Sequence, residues 1–375
     1  MKNDSSFGIS DGDLSNVSLI DVVQSSSVNL TTKRDVSPQW TLIPIFYIVT
    51  AVVGFLGNGT ILFLFAWDRT LRRKYKAFNV YVVNLLSANM CCILVMYPLS
   101  IITHIYPTSW YLGEPACGLL IYALDVLEAV VINSHALIAV ARVWAVVDPI
   151  TYRDYHSIRV ALITCLVVWV YLHVFMAPRI ILDALYYRLP VATHGCQLNV
   201  FAQKGWSIAE LLVNYLLPTV VILLAFPTIL GAKILRRMNG AAVGPKSADI
   251  SAVGGLPMVP KVRQRSVPTD QPSVLENARR ATGKYHMLAA LTVSVTVCWS
   301  PLLIFFSLVH FRPRYWDTTW FQVGTVMYTC QTMLDPVLFT LTFSRVWEAL
   351  KRLLTDCYSG CRGSWDGWDG LTLAS

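Results

Sequence analysis

A few ionisable side chains sit inside stretches of sequence that are otherwise almost free of charge. They are Asp125, Glu128, His135 and Arg142, then Glu210, His286 and Asp335. In an apolar layer each such group costs at least ~2.5 kcal/mol, so a chain that keeps them uses them for binding or signalling by default. Asp125 and Glu128 are three residues apart and would share one face of a helix. Together with Glu210 they make three carboxylates in one half of the apolar segments, where no Lys or Arg is expected. Two readings fit them. They line a cation-attracting cavity, or they are protonated or hydrogen-bonded to a neighbouring helix. No metal-ligand cluster, nucleophile elbow or phosphate loop occurs in a workable context, so neither catalysis nor a cofactor is expected.

The elements that must position these residues follow from composition. Of 375 residues, 55% are hydrophobic and 14% charged, and the mean hydropathy is +0.53. A soluble chain carries about 25% charge. A soluble enzyme, a disordered regulator and a nucleic-acid binder are thereby excluded, and the net charge of +8 asks for no nucleic acid. A run of ~20 apolar residues crosses a bilayer as a helix. Seven such runs occur, at about Thr41–Trp67, Phe78–Thr103, Cys117–Val143, Val160–Pro178, Trp206–Leu230, Tyr285–Val309 and Trp320–Phe343. The expected fold is an all-α membrane protein, a seven-transmembrane helix bundle with a short amphipathic eighth helix.

The domain reading is a polar tail over 1–40, the bundle over 41–343 with a long loop at about 231–284, and the eighth helix and tail over 344–375. Of the 30 basic residues, 22 fall in the segments that lie inside if the N-terminus is outside. That asymmetry predicts a multi-pass protein of the plasma membrane with an extracellular N-terminus. The first 39 residues have no apolar core, so no cleavable leader is expected and the first helix would serve as signal anchor. Asn3, Asn16 and Asn29 head glycosylation sequons there. The stretch from Arg237 to Asn277 reads as a linker without helical period, and Ser266 in Arg263-Gln264-Arg265-Ser266 is either a phosphate acceptor or part of a solvated loop. At 1.5 Å per residue, Asp125 lies ~12 Å and Glu128 ~16 Å below Cys117, while Arg142 lies ~37 Å below, at the inner mouth.

Several motifs stand in order along the chain: Gly57-Asn58, Asn84-Leu85-Leu86-Ser87-Ala88-Asn89, then Trp110, Gly113 and Cys117. They continue with Arg142, Pro149 and Tyr152, Trp169, Pro218, Cys298-Trp299-Ser300-Pro301 and Asp335-Pro336-Val337-Leu338-Phe339. In this order and spacing the chain resembles the rhodopsin-like (class A) G-protein-coupled receptors, from roughly Thr41 to Cys361.

The resemblance implies a disulfide between Cys117 and Cys196, and a ligand site in the outer half of the bundle that would include Asp125, Glu128, Glu210 and Trp299. Trp299 would be a rotating toggle beneath the ligand, above the kink at Pro301. Arg142, Asn89, Asp335, Pro336 and Phe339 would carry activation and coupling. Cys357 and Cys361, after the basic amphipathic run from Ser344, are palmitoylation candidates. The implied partners are an extracellular small-molecule or peptide ligand, a heterotrimeric G protein, arrestin, receptor kinases and membrane lipid.

This sequence departs from the family pattern in ways that bear on function. Ala141-Arg142-Val143 stands for Asp-Arg-Tyr, and Ala281 occupies the helix-six position that often holds a second acid, so raised basal signalling is expected. Asn89 and Asp335 exchange the usual acid and amide, which predicts that they meet across the bundle and alter the usual sodium site. Phe339 and Phe226 replace tyrosines that steady the active state. Leu124 holds the place of the amine-binding Asp, with Asp125 one later, and Thr329 stands about where an opsin has its lysine. The acids still favour a cationic ligand, an amine bound in a nonstandard way or a basic peptide. The competing readings are a non-signalling or decoy membrane protein and, with less support, a transporter, since neither repeats nor a through-chain of charge occur.

Overall fold

The computed structural model describes residues 38–73, 76–106, 110–199, 202–242, 274–312, 315, 317–356 and 358. The sequons at Asn3, Asn16 and Asn29, the Arg263–Ser266 run, Cys357 and Cys361 lie outside the described residues. Seven long helices run in sequence: α1 (Leu42–Trp67), α2 (Ala77–Ile105), α3 (Gly113–Val147), α4 (Ile158–Tyr187), α5 (204–242), α6 (Val274–Phe311) and α7 (Thr318–Thr342). A further helix, α8, covers 344–356. No strand occurs among the described residues. In hydrocarbon every backbone polar group must be satisfied within the protein, and the helix does this inside one segment.

Helices α1 to α6 are long and apolar enough to cross a membrane. Helix α7 is more polar, with seven threonines and two glutamines. It meets this in two ways. Thr329 and Thr340 bond back to carbonyls one turn earlier, at 3.0 and 2.7 Å. Its polar face, with Thr325, Thr329, Gln331, Thr332 and Asp335, is buried. Helix α7 packs chiefly against α6 and α1, and α3 against α5, α2 and α4. Two glycines let helices come close. A Cβ on Gly57 of α1 would sit 2.8 Å from Pro336 Cγ, and one on Gly324 of α7 would sit 3.2 Å from Leu302 Cα of α6. The outward faces are apolar, as on α4, where Leu162, Leu166, Val170 and Val174 are exposed. Such a belt suits a protein solvated by lipid.

Three boundaries differ from the expectation. Helix α4 runs on past Pro178, because Arg179 and Asp183 beyond it each find a buried charged partner. The expected linker from Arg237 to Asn277 is helical at both ends, since α5 continues to Ala242 and α6 begins at Val274. Those ends are rich in Ala, Leu and Arg, all good helix formers, whereas Pro and Gly concentrate between them.

Helix α8 buries Val346 and Ala349 and leaves Trp347 and Leu354 exposed. Arg352 reaches Asp68 at 2.6 Å. Asp68 also accepts the backbone N–H groups of Thr70 and Leu71, capping the short helix Arg69–Arg73. The last turn of α1 and the amphipathic helix are thus tied by one carboxylate.

Candidate functional site

A disulfide joins Cys117, near the start of α3, to Cys196 in the loop after α4. Beneath it, the Arg179 guanidinium lies between Asp125 of α3, at 3.3 Å, and Glu210 of α5, which it contacts still more closely. Arg179 is 4% exposed and Glu210 5%. The next charged pair repeats the pattern towards the loop. Arg188 bonds the fully buried Asp183 at 2.8 Å and approaches Glu114 at 3.6 Å, and Asp183 accepts the backbone N–H of Asn199 at 3.0 Å.

The expectation of three carboxylates with no basic residue nearby is therefore corrected. Asp125 and Glu210 have a resident cation in Arg179, which stitches α3, α4 and α5 together. The physical reason is the continuation of α4: one further turn carries Arg179 into the bundle rather than into the loop. Glu128 is separate. It accepts a short hydrogen bond from the Tyr328 hydroxyl of α7, and it lines a cavity of about 10 Å³, room for the centre of roughly one water, together with Cys92, Met96, Tyr97, Trp299, Gln331 and Thr332 among others. Trp299 is 2% exposed there, with the Tyr328 ring 5.6 Å and the Tyr215 ring 6.4 Å from its own.

Of the four wide π-helical turns among the described residues, one ends α4 at Asp183–Tyr187 and three adjoin the residues of this site: Cys92–Met96 in α2, Ala123–Leu127 in α3 and Leu211–Leu216 in α5. Such turns add a residue to the helix and rotate the side chains beyond them, often at functional sites. Here the three contain or adjoin Cys92 and Met96, Asp125 and Glu128, and Glu210 in turn.

Deeper in the bundle, a chain of polar groups crosses it. Asn58 of α1 donates to the Gly54 and Thr332 carbonyls at 2.8 and 3.0 Å. Asn89 donates to Asn58 Oδ1 at 3.2 Å and to Asp335 Oδ2 at 2.8 Å. Gln331 donates to Asp335 Oδ1 at 2.6 Å and accepts from Ser294 of α6 at 2.9 Å. All of Asn58, Asn89, Gln331 and Asp335 are buried. The exchanged acid and amide do meet, as their types required. A parallel chain runs from Trp169 Nε1 to Asn84 at 2.9 Å and from Asn84 to Ser134 at 2.8 Å.

The model of the 7 transmembrane receptor (rhodopsin family) matches residues 57–339, most of the chain. The chain belongs to the rhodopsin family of seven-transmembrane receptors. It is 22% identical to the KiSS-1 receptor of Homo sapiens, over 83% of this chain and 74% of that protein. It is 24% identical to cysteinyl leukotriene receptor 1 of Homo sapiens, over 72% of this chain and 82% of that one. Family membership makes it a receptor of a multi-pass membrane class and not an enzyme.

At the end of the bundle opposite the disulfide, this rhodopsin-family receptor places the Arg142 guanidinium over the Phe78 ring, 3.5 Å from its centroid. Phe78 packs on Phe343, and Phe343 stacks on Phe339. Ala141 beside Arg142 is buried, and Phe339 is 1% exposed. Phe226, by contrast, is 37% exposed. Residues that the sequence reading passed over include Arg179, Tyr328, Gln331 and His173, whose ring meets the Tyr122 hydroxyl at 2.7 Å. For Arg179 a signal existed: Arg179 and Asp183 are four apart and continue the helical register past Pro178.

Proposed function

We propose that this receptor sits in the plasma membrane with the Cys117 end outside, binds an extracellular ligand at Glu128, and activates a heterotrimeric G protein at the Arg142 end. The carrying observation is that Glu128 touches Tyr328 and shares a cavity with Trp299. A positively charged or hydrogen-bond-donating group that reached Glu128 would compete with the Tyr328 hydroxyl and bear on α3, α6 and α7 at once. A ligand that changes the packing of these three helices can select between two arrangements of the bundle, which is what signalling requires. Asp125 and Glu210 support the site through Arg179 and do not present free charge. Receptor function is what the KiSS-1 and cysteinyl leukotriene relatives lend, and neither of their ligands is carried over. An amine or a basic peptide suits the carboxylate, and arrestin, receptor kinases and membrane lipid complete the partners.

The test is a panel of G-protein activation assays in cells, first without ligand and then across amines and basic peptides. For any agonist found, Glu128→Gln is expected to lower potency by at least tenfold with surface expression unchanged. Unaltered potency refutes the Glu128 site. Silence across all G proteins, with and without ligands, would favour the second reading, a non-signalling membrane protein, which Ala141 and Phe339 at the coupling end motivate.

A further inference from the structure

His135 lies in the middle of α3, with no exposed surface, and neither of its ring nitrogens has a hydrogen-bond partner. Its Nε2 stands 3.4 Å from Asp335 Oδ2 on α7. Asp335 is 1% exposed and takes hydrogen bonds from two neutral amides, Asn89 and Gln331. Asn89 Oδ1, alongside, also lacks a donor. A buried polar ring that bonds nothing is costly and calls for an explanation. We propose that His135 and Asp335 together bind one proton, and that this proton holds α3 to α7 in the arrangement seen here.

Charge balance carries the argument. With one proton between them the pair is neutral overall, whether as imidazolium beside carboxylate or as imidazole beside carboxylic acid. Without it, a lone carboxylate remains in a low-dielectric interior facing an imidazole that cannot compensate it. The proton comes from water and returns to water, and no other bond changes. Because the two groups interact directly, the proton belongs to the pair and not to either residue.

The surroundings do not supply a substitute. Facing the pair are Asn58 from α1, Asn89 from α2, Ser294 and the Cys298 thiol from α6, and Gln331 from α7. Along α3 itself the nearest charged groups are Glu128 and Arg142, each seven residues or about 10 Å away along the axis. The proton acts as a ligand of this arrangement, so by mass action the arrangement is more stable where protons are more abundant.

The experiment uses the full-length receptor in lipid nanodiscs, with the melting temperature measured from about pH 5 to about pH 8. Wild type, His135→Leu and Asp335→Asn are compared. The other histidines remain in all three, so the difference between curves isolates the pair. Across this range wild type is expected to lose roughly 2–4 °C more than either variant. Parallel curves for all three would overturn the proposal. If His135→Leu does not fold, His135→Gln, polar but not titratable here, serves the same comparison, and a Gln curve that tracks wild type is equally fatal.

Discussion

Asn89 of α2 donates its side-chain amide to the Asp335 carboxylate of α7 at 2.8 Å, and the same amide reaches Asn58 of α1 at 3.2 Å. Three helices thus meet on one amide. Changing Asn89 to Asp would set two carboxylates at hydrogen-bond distance and remove the donor. The expected cost is about 2–3 kcal/mol. The double exchange, Asn89→Asp with Asp335→Asn, restores one acid and one amide and should recover most of the loss. A double-mutant cycle on melting temperatures measures this, and strictly additive effects would dissolve the pairing.

Arg179 offers a sharper break. Removing one member of a buried ion pair leaves the other charge uncompensated, at about 3–5 kcal/mol. Arg179→Met is therefore expected to abolish surface expression, while Arg179→Met combined with Asp125→Asn and Glu210→Gln should return much of it. Surface labelling of intact cells reads both. Normal expression of the single variant would mean that the cluster contributes little.

Basal activity tests the coupling end. Ala141 is buried next to Arg142, and an Asp there would gain an ion pair with the guanidinium. Ala141→Asp is expected to lower basal second-messenger levels severalfold towards those of untransfected cells. Equal levels for wild type, variant and untransfected cells would show that there is no basal signal to restrain.

The tie between α1 and α8 should respond to acid. Partial desolvation pushes the Asp68 carboxyl up, but hydrogen bonds from Arg352 and from the backbone of Leu71 and Thr70 outweigh it, so the group titrates below the ordinary carboxylate range. Its contribution is present at neutral pH and is lost as the pH falls through this lowered value. Protection factors over 344–356, which remove the intrinsic pH dependence of amide exchange, should therefore hold down to about pH 4 and fall below it, whereas Arg352→Ala should lower them already at neutral pH. Identical exchange in the two proteins would show that the apolar face of α8 suffices.

Much of the bundle could be read from residue types alone. Apolar runs and their breaks give the number of helices, and the exchange of Asn89 with Asp335 was legible because each type demands a partner of the other. The carboxylate cluster was misread for a physical reason. Hydropathy stops a helix at its first charges, so Arg179, one position past Pro178, counted as loop, although a charge with a buried partner is no barrier to a further turn. Tyr328 and Gln331 carry no motif of their own. Only the packing of α7 against α3 and α6 turns their polar ends towards Glu128 and Ser294. The π-helical turns leave no mark in residue periodicity, because one added residue falls within the usual scatter of an apolar stripe.

The cavity beside Trp299 has room for about one water and is lined by Tyr97, Tyr328 and Met96 among others, all of them buried. Any ligand larger than water must wait for these side chains to part before it can reach Glu128. Its observed affinity is then the intrinsic affinity scaled down by the fraction of receptors standing open. Association should level off at high ligand concentration, with a ceiling set by the opening rate, and trimming Met96 to Ala should raise that ceiling without any new contact to the ligand.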